Sequence, residues 1–174
     1  MHRDFKELWS VLNDEQVKYL VVGGYAVSLH AQPRATKDRD IVIKCDQGNA
    51  TALFRALAKF GAPLEGLKSD DFAEVGSFFR MGTPPVMVDI LPEISGVDFD
   101  VAWQRRVMET IDAETGLQAA FICADDLIAA KMAAGRAQDL ADVEALRKAR
   151  NVAAAGAKPR RRSPARKPLP KPTG

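Results

Sequence analysis

The 174-residue sequence predicts an α+β fold, a mixed central sheet with helices packed on it. The hydrophobic period switches repeatedly between helical and strand spacing. Two strand-like segments follow one another between positions 72 and 91 with no helix between them, which breaks a regular βαβ alternation. Apolar residues make up 47% and charged residues 28%, the composition of a globular chain rather than a disordered one. No apolar run approaches the ~20 residues of a membrane span, so no membrane partner is expected. The charged start MHRDFKELWS lacks the apolar core of a secretory signal. Cys45 and Cys123 form no CxxC pair, which argues against a disulfide framework or zinc cluster and for a reducing, cytoplasmic location.

The elements follow in order. Phe5, Leu8, Trp9 and Leu12 are spaced i, i+3, i+4, i+7, one face of a helix over Arg3–Asp14. Tyr19-Leu20-Val21-Val22 is a short continuous apolar run stopping at Gly23-Gly24, a buried strand entering a tight turn. Tyr25–Ala31 reads as a short helix ended before Pro33. Asp38–Lys44 reads as a strand with Ile41 and Ile43 on one face and Asp38, Asp40 and Val42 on the other. Ala50–Phe60 is an amphipathic helix closed by Gly61. Strands are expected over Phe72–Met81 and Pro85–Leu91, punctuated by Gly82-Thr83-Pro84, and then over Arg106–Ile111 and Leu117–Ile122. Helices Asp125–Ala134, closed by Gly135, and Ala137–Lys148 end the domain, residues 1–152.

Charge divides the chain. Residues 153–174 hold seven Lys/Arg, no acid and five of the ten prolines, leaving 18 basic and 23 acidic side chains before them. This segment is expected to be a disordered basic tail, either a solvated extension or a nonspecific contact to RNA or another polyanion.

Three features bear chemistry. Gly23-Gly24 follows a buried strand and opens a helix, where a backbone without Cβ can approach an anion at the helix N-terminus or simply turn. In Asp38-Arg39-Asp40, residues two apart on a strand point to the same face, so both carboxylates converge. Their repulsion is relieved by a hard cation such as Mg²⁺, or by solvent at a strand end. Asp89 sits inside the apolar run Val86–Leu91, where a carboxylate must ligate a metal or pair with a buried Arg. In the later helices, Lys131 stands at the edge of the apolar face of Leu127, Ile128 and Met132, reaching either the site or water. Asp139 and Asp142 share a helix face, to orient Lys131 or to lie on the surface. His30 is expected to be structural.

The order strand, Gly-Gly, helix, strand with Asp38-Arg39-Asp40-Ile41, later strand with Asp89 resembles the DNA polymerase beta-like nucleotidyltransferase superfamily. The stretch GGYAVSLHAQPRATKDRDI is similar to small bacterial nucleotidyltransferases related to abortive-infection and toxin–antitoxin systems, with Arg34 and Thr36 in the Arg-x-Thr before the acids. DLIAAKMAAGRAQDLADVEAL continues the likeness, which spans about residues 15–150. Arg39 departs from it, since an apolar residue usually separates the acids; on a strand it points away from both.

The resemblance implies a Mg²⁺-dependent transfer of an NMP from an NTP to an acceptor hydroxyl, using two ions about 3.5–4 Å apart. It implies Asp38, Asp40 and Asp89 as metal ligands, Asp89 also helping to deprotonate the acceptor. Gly23, Gly24, Arg34 and Thr36 would contact the nucleotide, and Lys131 its phosphates. Three acceptors stay open: RNA (tRNA, for a toxin), approached through the basic tail; a cognate toxin or antitoxin protein; and a small molecule such as an aminoglycoside. A catalytically silent domain that binds nucleotide or a partner is the alternative.

Overall fold

Helix α1 forms over Arg3–Asp14 because its apolar stripe has something to cover: Phe5, Leu8, Trp9 and Leu12 are all buried, and Trp9 stacks on Tyr19 at 5.4 Å between ring centroids. Tyr19 opens β1 (Tyr19–Val21), and α2 follows at once over Gly23–His30. The computed structural model describes residues 3–33, 36, 38–76, 78–83 and 86–156. Next come β2 (Asp38–Ile43), α3 (Gln47–Phe60), β3 (Phe79–Thr83) and β4 (Val86–Leu91). The chain continues with α4 (Phe99–Gln104), β5 (Val107–Asp112), β6 (Leu117–Phe121), α5 (Ala124–Ala134) and α6 (Ala137–Gly156).

The six strands make one mixed sheet in the order β3-β4-β2-β1-β6-β5. The pairs β2–β4 and β1–β6 are parallel and the other three antiparallel, which confirms the α+β expectation. Trp9 on Tyr19 places α1 on the face that carries Tyr19, Val21 and, through the register Val21↔Ile41 and Tyr19↔Ile43, both isoleucines of β2. Helix α3 packs on α1, while α5 and α6 pack on each other and on α2. Among the described residues no helix is long and apolar enough to cross a membrane.

Several boundaries differ from the sequence reading. The strand expected from Phe72 begins only at Phe79, because Ser69–Phe72 is a 3₁₀ turn closed by the Lys68 amide donating to Asp71 Oδ2 at 2.7 Å. Phe72 there turns inward between Phe54 and Phe79. Helix α3 starts three residues early, since Asp46 caps it by accepting from the Asn49 amide. The unanticipated α4 is capped in the same way by Asp98, and Phe99 stacks on Trp103 one turn on. Helix α6 runs to Gly156, past both its expected end at Lys148 and the expected tail boundary. The rest of the tail, residues 157–174, lies outside the described residues, as do Arg34, Pro84 of the expected turn and Pro85 at the start of the expected strand.

Candidate functional site

Strand β2 runs through the sheet interior between β1 and β4, and its alternation divides its side chains. Arg39 and Ile41 face α1; Asp38 and Asp40 face the other side. Register then assembles a cluster that sequence spacing alone does not reveal. Asp40 lies directly opposite Asp89 on β4, and Asp89 directly opposite Arg80 on β3. Paired residues share a face, so Arg80, Asp89 and Asp40 form one cross-strand row, with Asp38 two positions along β2. This row floors a cleft of about 540 Å³. Glu93, Ile94 and Ser95 after β4 form one wall, and Leu127 and Lys131 of α5, Arg136 of the link and Asp139 of α6 form another.

Asp40 is the electrostatic centre. Burial pushes its carboxyl above the ordinary range; the charges of Asp89 and Asp38 push the same way, and Lys131 and Arg80 pull back. Among the described residues neither the Asp38 nor the Asp40 carboxylate has a hydrogen-bond or ion-pair partner. Asp89 is held differently: Arg80 Nε donates to Oδ1 and Arg80 Nη2 to Oδ2, each at 2.6 Å. The pair is bidentate, so Asp89 takes the arginine-paired alternative of the sequence reading, although its partner is half exposed rather than buried.

Gly23 is obligatory here for two independent reasons. Its φ of +62° is left-handed, and a Cβ on it would lie 1.8 Å from Asp40 Oδ2. The Asp40 carboxylate thus rests directly against the first turn of α2. Gly24 is buried inside that helix, its carbonyl accepting from the Ser28 hydroxyl, and does not line the cleft. The pair opens α2, as expected from the sequence.

Lys131 lines the cleft but is no solvated edge residue. It is 7% exposed, and its Nζ bridges Asp139 Oδ1 at 2.9 Å and Asp142 Oδ2 at 2.7 Å, both buried. The two aspartates orient the lysine. Burial opposes charge on Asp139, yet hydrogen bonds from Arg136 and Lys131 outweigh it and hold the carboxyl below the ordinary range. Arg136, largely exposed, grips Asp139 from the solvent side.

Thr36 donates to the Asp38 carbonyl at 3.2 Å at the entry to β2 and is not among the residues lining the cleft. The Arg39 guanidinium lies between the rings of Phe5 at 4.5 Å and Tyr25 at 4.2 Å, on the opposite face from both acids. His30 Nε2 and the Ile122 carbonyl are hydrogen-bonded at 2.7 Å, a structural role as expected. The sequence reading missed Arg80, Arg136 and Glu93. For Arg80 the signal was the hairpin register, hidden because the turn was placed at Gly82-Thr83-Pro84 while Gly82 and Thr83 still pair in β3.

Three carboxylates on one face are a hard-oxygen donor set for Mg²⁺. Among the described residues no three acidic, His or Cys side chains are disposed, as they stand, to share one ion. The chemistry of the donors fits; the Asp89 oxygens are engaged by Arg80.

The model of one family, described as nucleotidyltransferase of unknown function (DUF6036), matches residues 3–152. No curated protein matches the chain. Among solved structures, the antibiotic-resistance factor ANT(2'')-Ia is similar, at TM-score 0.52 and 13% identity over 88% of this chain and 84% of that one. The Thermotoga maritima protein TM1012, assigned as a nucleotidyltransferase, aligns at TM-score 0.50 and 17% identity over 86% of this chain and 92% of the other. At these identities the likeness establishes the nucleotidyltransferase-like fold.

Proposed function

The chain belongs to this family of nucleotidyltransferases of unknown function, and from that premise we propose that it moves an NMP from an NTP to an acceptor hydroxyl in the cleft above Asp38, Asp40 and Asp89. The observation that carries this reading is the register that sets Asp40 beside Asp89, with Asp38 on the same face and Gly23 pressed against Asp40. In the reaction the acceptor oxygen bonds to the α-phosphorus, the bond from that phosphorus to the β-bridging oxygen breaks, and pyrophosphate leaves.

Asp38 and Asp40 would hold the cation that accompanies the triphosphate, and Asp89 would join Asp40 in holding a second. Bound there, Mg²⁺ supplies neutralisation of the phosphate oxygens and lowers the pKa of the attacking hydroxyl. The chain's own residues position the reactants. The first turn of α2 meets the phosphates with amide groups, over a backbone that Gly23 keeps bare. Arg136, exposed at the rim, offers the accessible positive charge, while Lys131, locked to Asp139 and Asp142, sets the field behind it. Asp89 receives the acceptor proton.

The acceptor follows from charge. Seven Lys/Arg without an acid in residues 153–174 favour RNA; tRNA as the target of a toxin is what the resemblance to abortive-infection nucleotidyltransferases adds. The test uses the full chain with each α-labelled NTP, Mg²⁺ and a cell lysate separated into RNA, protein and small-molecule fractions. Label in RNA supports this reading. Label in a single protein makes the acceptor a toxin or antitoxin partner, and label in a small molecule makes the protein a small-molecule nucleotidyltransferase. No label from any NTP, with nucleotide still bound, establishes a silent binding domain.

A further inference from the structure

The proposed reaction uses Asp89 but not its pairing with Arg80, and that pairing stands in the reaction's way. Arg80 is directly opposite Asp89, and its fork takes both carboxylate oxygens at 2.6 Å. The two partners are unequally fixed. Asp89 is 11% exposed in the sheet wall, whereas the Arg80 side chain is 53% exposed at the cleft. The carboxylate cannot move far; the guanidinium can. Phe78, itself exposed, lies 5.8 Å from the Arg80 guanidinium carbon and offers its ring face beside the strand. Asp38 and Asp40 add their charge to the same guanidinium, which holds its proton more firmly than usual, chiefly through its hydrogen bonds to Asp89.

We propose that Arg80 is a tethered counter-ion which occupies the Asp89 side of the cleft, excluding a divalent cation from that carboxylate until nucleotide arrives, and which then passes to the nucleotide's phosphates. The proposal rests on the reading of the cleft as a cation and nucleotide site. A guanidinium and a divalent cation repel at contact distance, so both cannot be held by one carboxylate at full strength. In the resting protein the Arg80 charge is already present, tethered to β3, and wins. A bound triphosphate changes the balance, because its oxygens give the guanidinium a second bidentate partner while the metal it carries claims Asp89. Arg80 is therefore a positioning residue. It keeps Asp89 aimed through its two hydrogen bonds, and makes occupancy of this carboxylate depend on nucleotide.

Mn²⁺ binding to the full chain, read by electron paramagnetic resonance without nucleotide, tests this independently of turnover. Arg80→Met should bind Mn²⁺ on the order of tenfold more tightly than wild type, and Arg80→Lys, which keeps a charge but loses the fork, should lie between them. Asp89→Asn placed in the Arg80→Met background should abolish the gain. With a non-hydrolysable NTP analogue added, Arg80→Met should instead bind the analogue more weakly than wild type. Equal Mn²⁺ affinity in wild type, Arg80→Met and Arg80→Lys, with binding still lost in Asp38→Asn, overturns the role of Arg80 and leaves the cation site standing. No Mn²⁺ bound by any of these proteins overturns both.

Discussion

Lys131 shows at the scale of one residue how burial changes an argument. Its sequence neighbours put it at the margin of an apolar face, where charge removal would cost under about 1 kcal/mol. In the structure its ammonium closes a buried cluster with Asp139 and Asp142, and Lys131→Met leaves two buried carboxylates short of a partner. We expect the variant to lose about 3 kcal/mol of stability, read from chemical denaturation, together with turnover. A loss below about 1 kcal/mol would return the lysine to the solvated surface. The same cluster sets a pH dependence. The Asp139 carboxyl is held below its ordinary range, so its contribution is fully present above the unfolded pKa and is lost as pH falls through the folded one. Melting temperature should therefore fall more steeply below the ordinary carboxylate pKa in wild type than in Asp139→Asn; parallel profiles would exclude Asp139 as the cause. Arg39, the departure from the superfamily pattern, is accounted for by the rings of Phe5 and Tyr25, which lie away from the acids.

Elements bring these residues together, and here legibility divides sharply. Helix α1 was readable to the residue, because four apolar positions at helical spacing had a sheet to cover. The aspartates of β2 were readable as one face because strand alternation is local. What no local pattern carried was register: the row Arg80, Asp89, Asp40 depends on which residues oppose each other across three strands. The turn was misplaced by the glycine at 82, which lies inside β3, and with it went the partner of Asp89. The junction of β1 and α2 makes a sharper point. Gly23 was legible as a turn residue, but its contact with Asp40 belongs to tertiary structure. A double-mutant cycle measures that contact. Gly23→Ala should destabilise by about 1–2 kcal/mol from its left-handed backbone alone, and by more where the methyl displaces the Asp40 carboxylate. Asp40→Ala should recover that additional part, a coupling of about 1 kcal/mol. Additive losses would mean that the two do not touch.

Over the whole molecule, two charge distributions are superposed. Residues 1–152 carry an excess of acids, some of them concentrated in the cleft, while the basic residues past 152 carry none. The fold class was legible because composition and period fix it, and the carboxylate triad because motif order resembles a known superfamily. The cations of the cleft, Arg80 on Asp89 and Arg136 on Asp139, were not legible, because a charged side chain in sequence carries no mark of what it faces. The acid-rich cleft gains most from a ligand that brings a divalent cation with it. Calorimetric titration of a non-hydrolysable NTP analogue, with and without Mg²⁺, into wild type and the Asp38→Asn/Asp40→Asn double variant tests this most directly. We expect wild-type binding that requires the cation and falls by at least about tenfold in the double variant, while the ligand-free variant melts at the same temperature or higher because carboxylate repulsion is gone. Equal affinity in the two proteins, or affinity in wild type that ignores the cation, would contradict the assignment of this cleft.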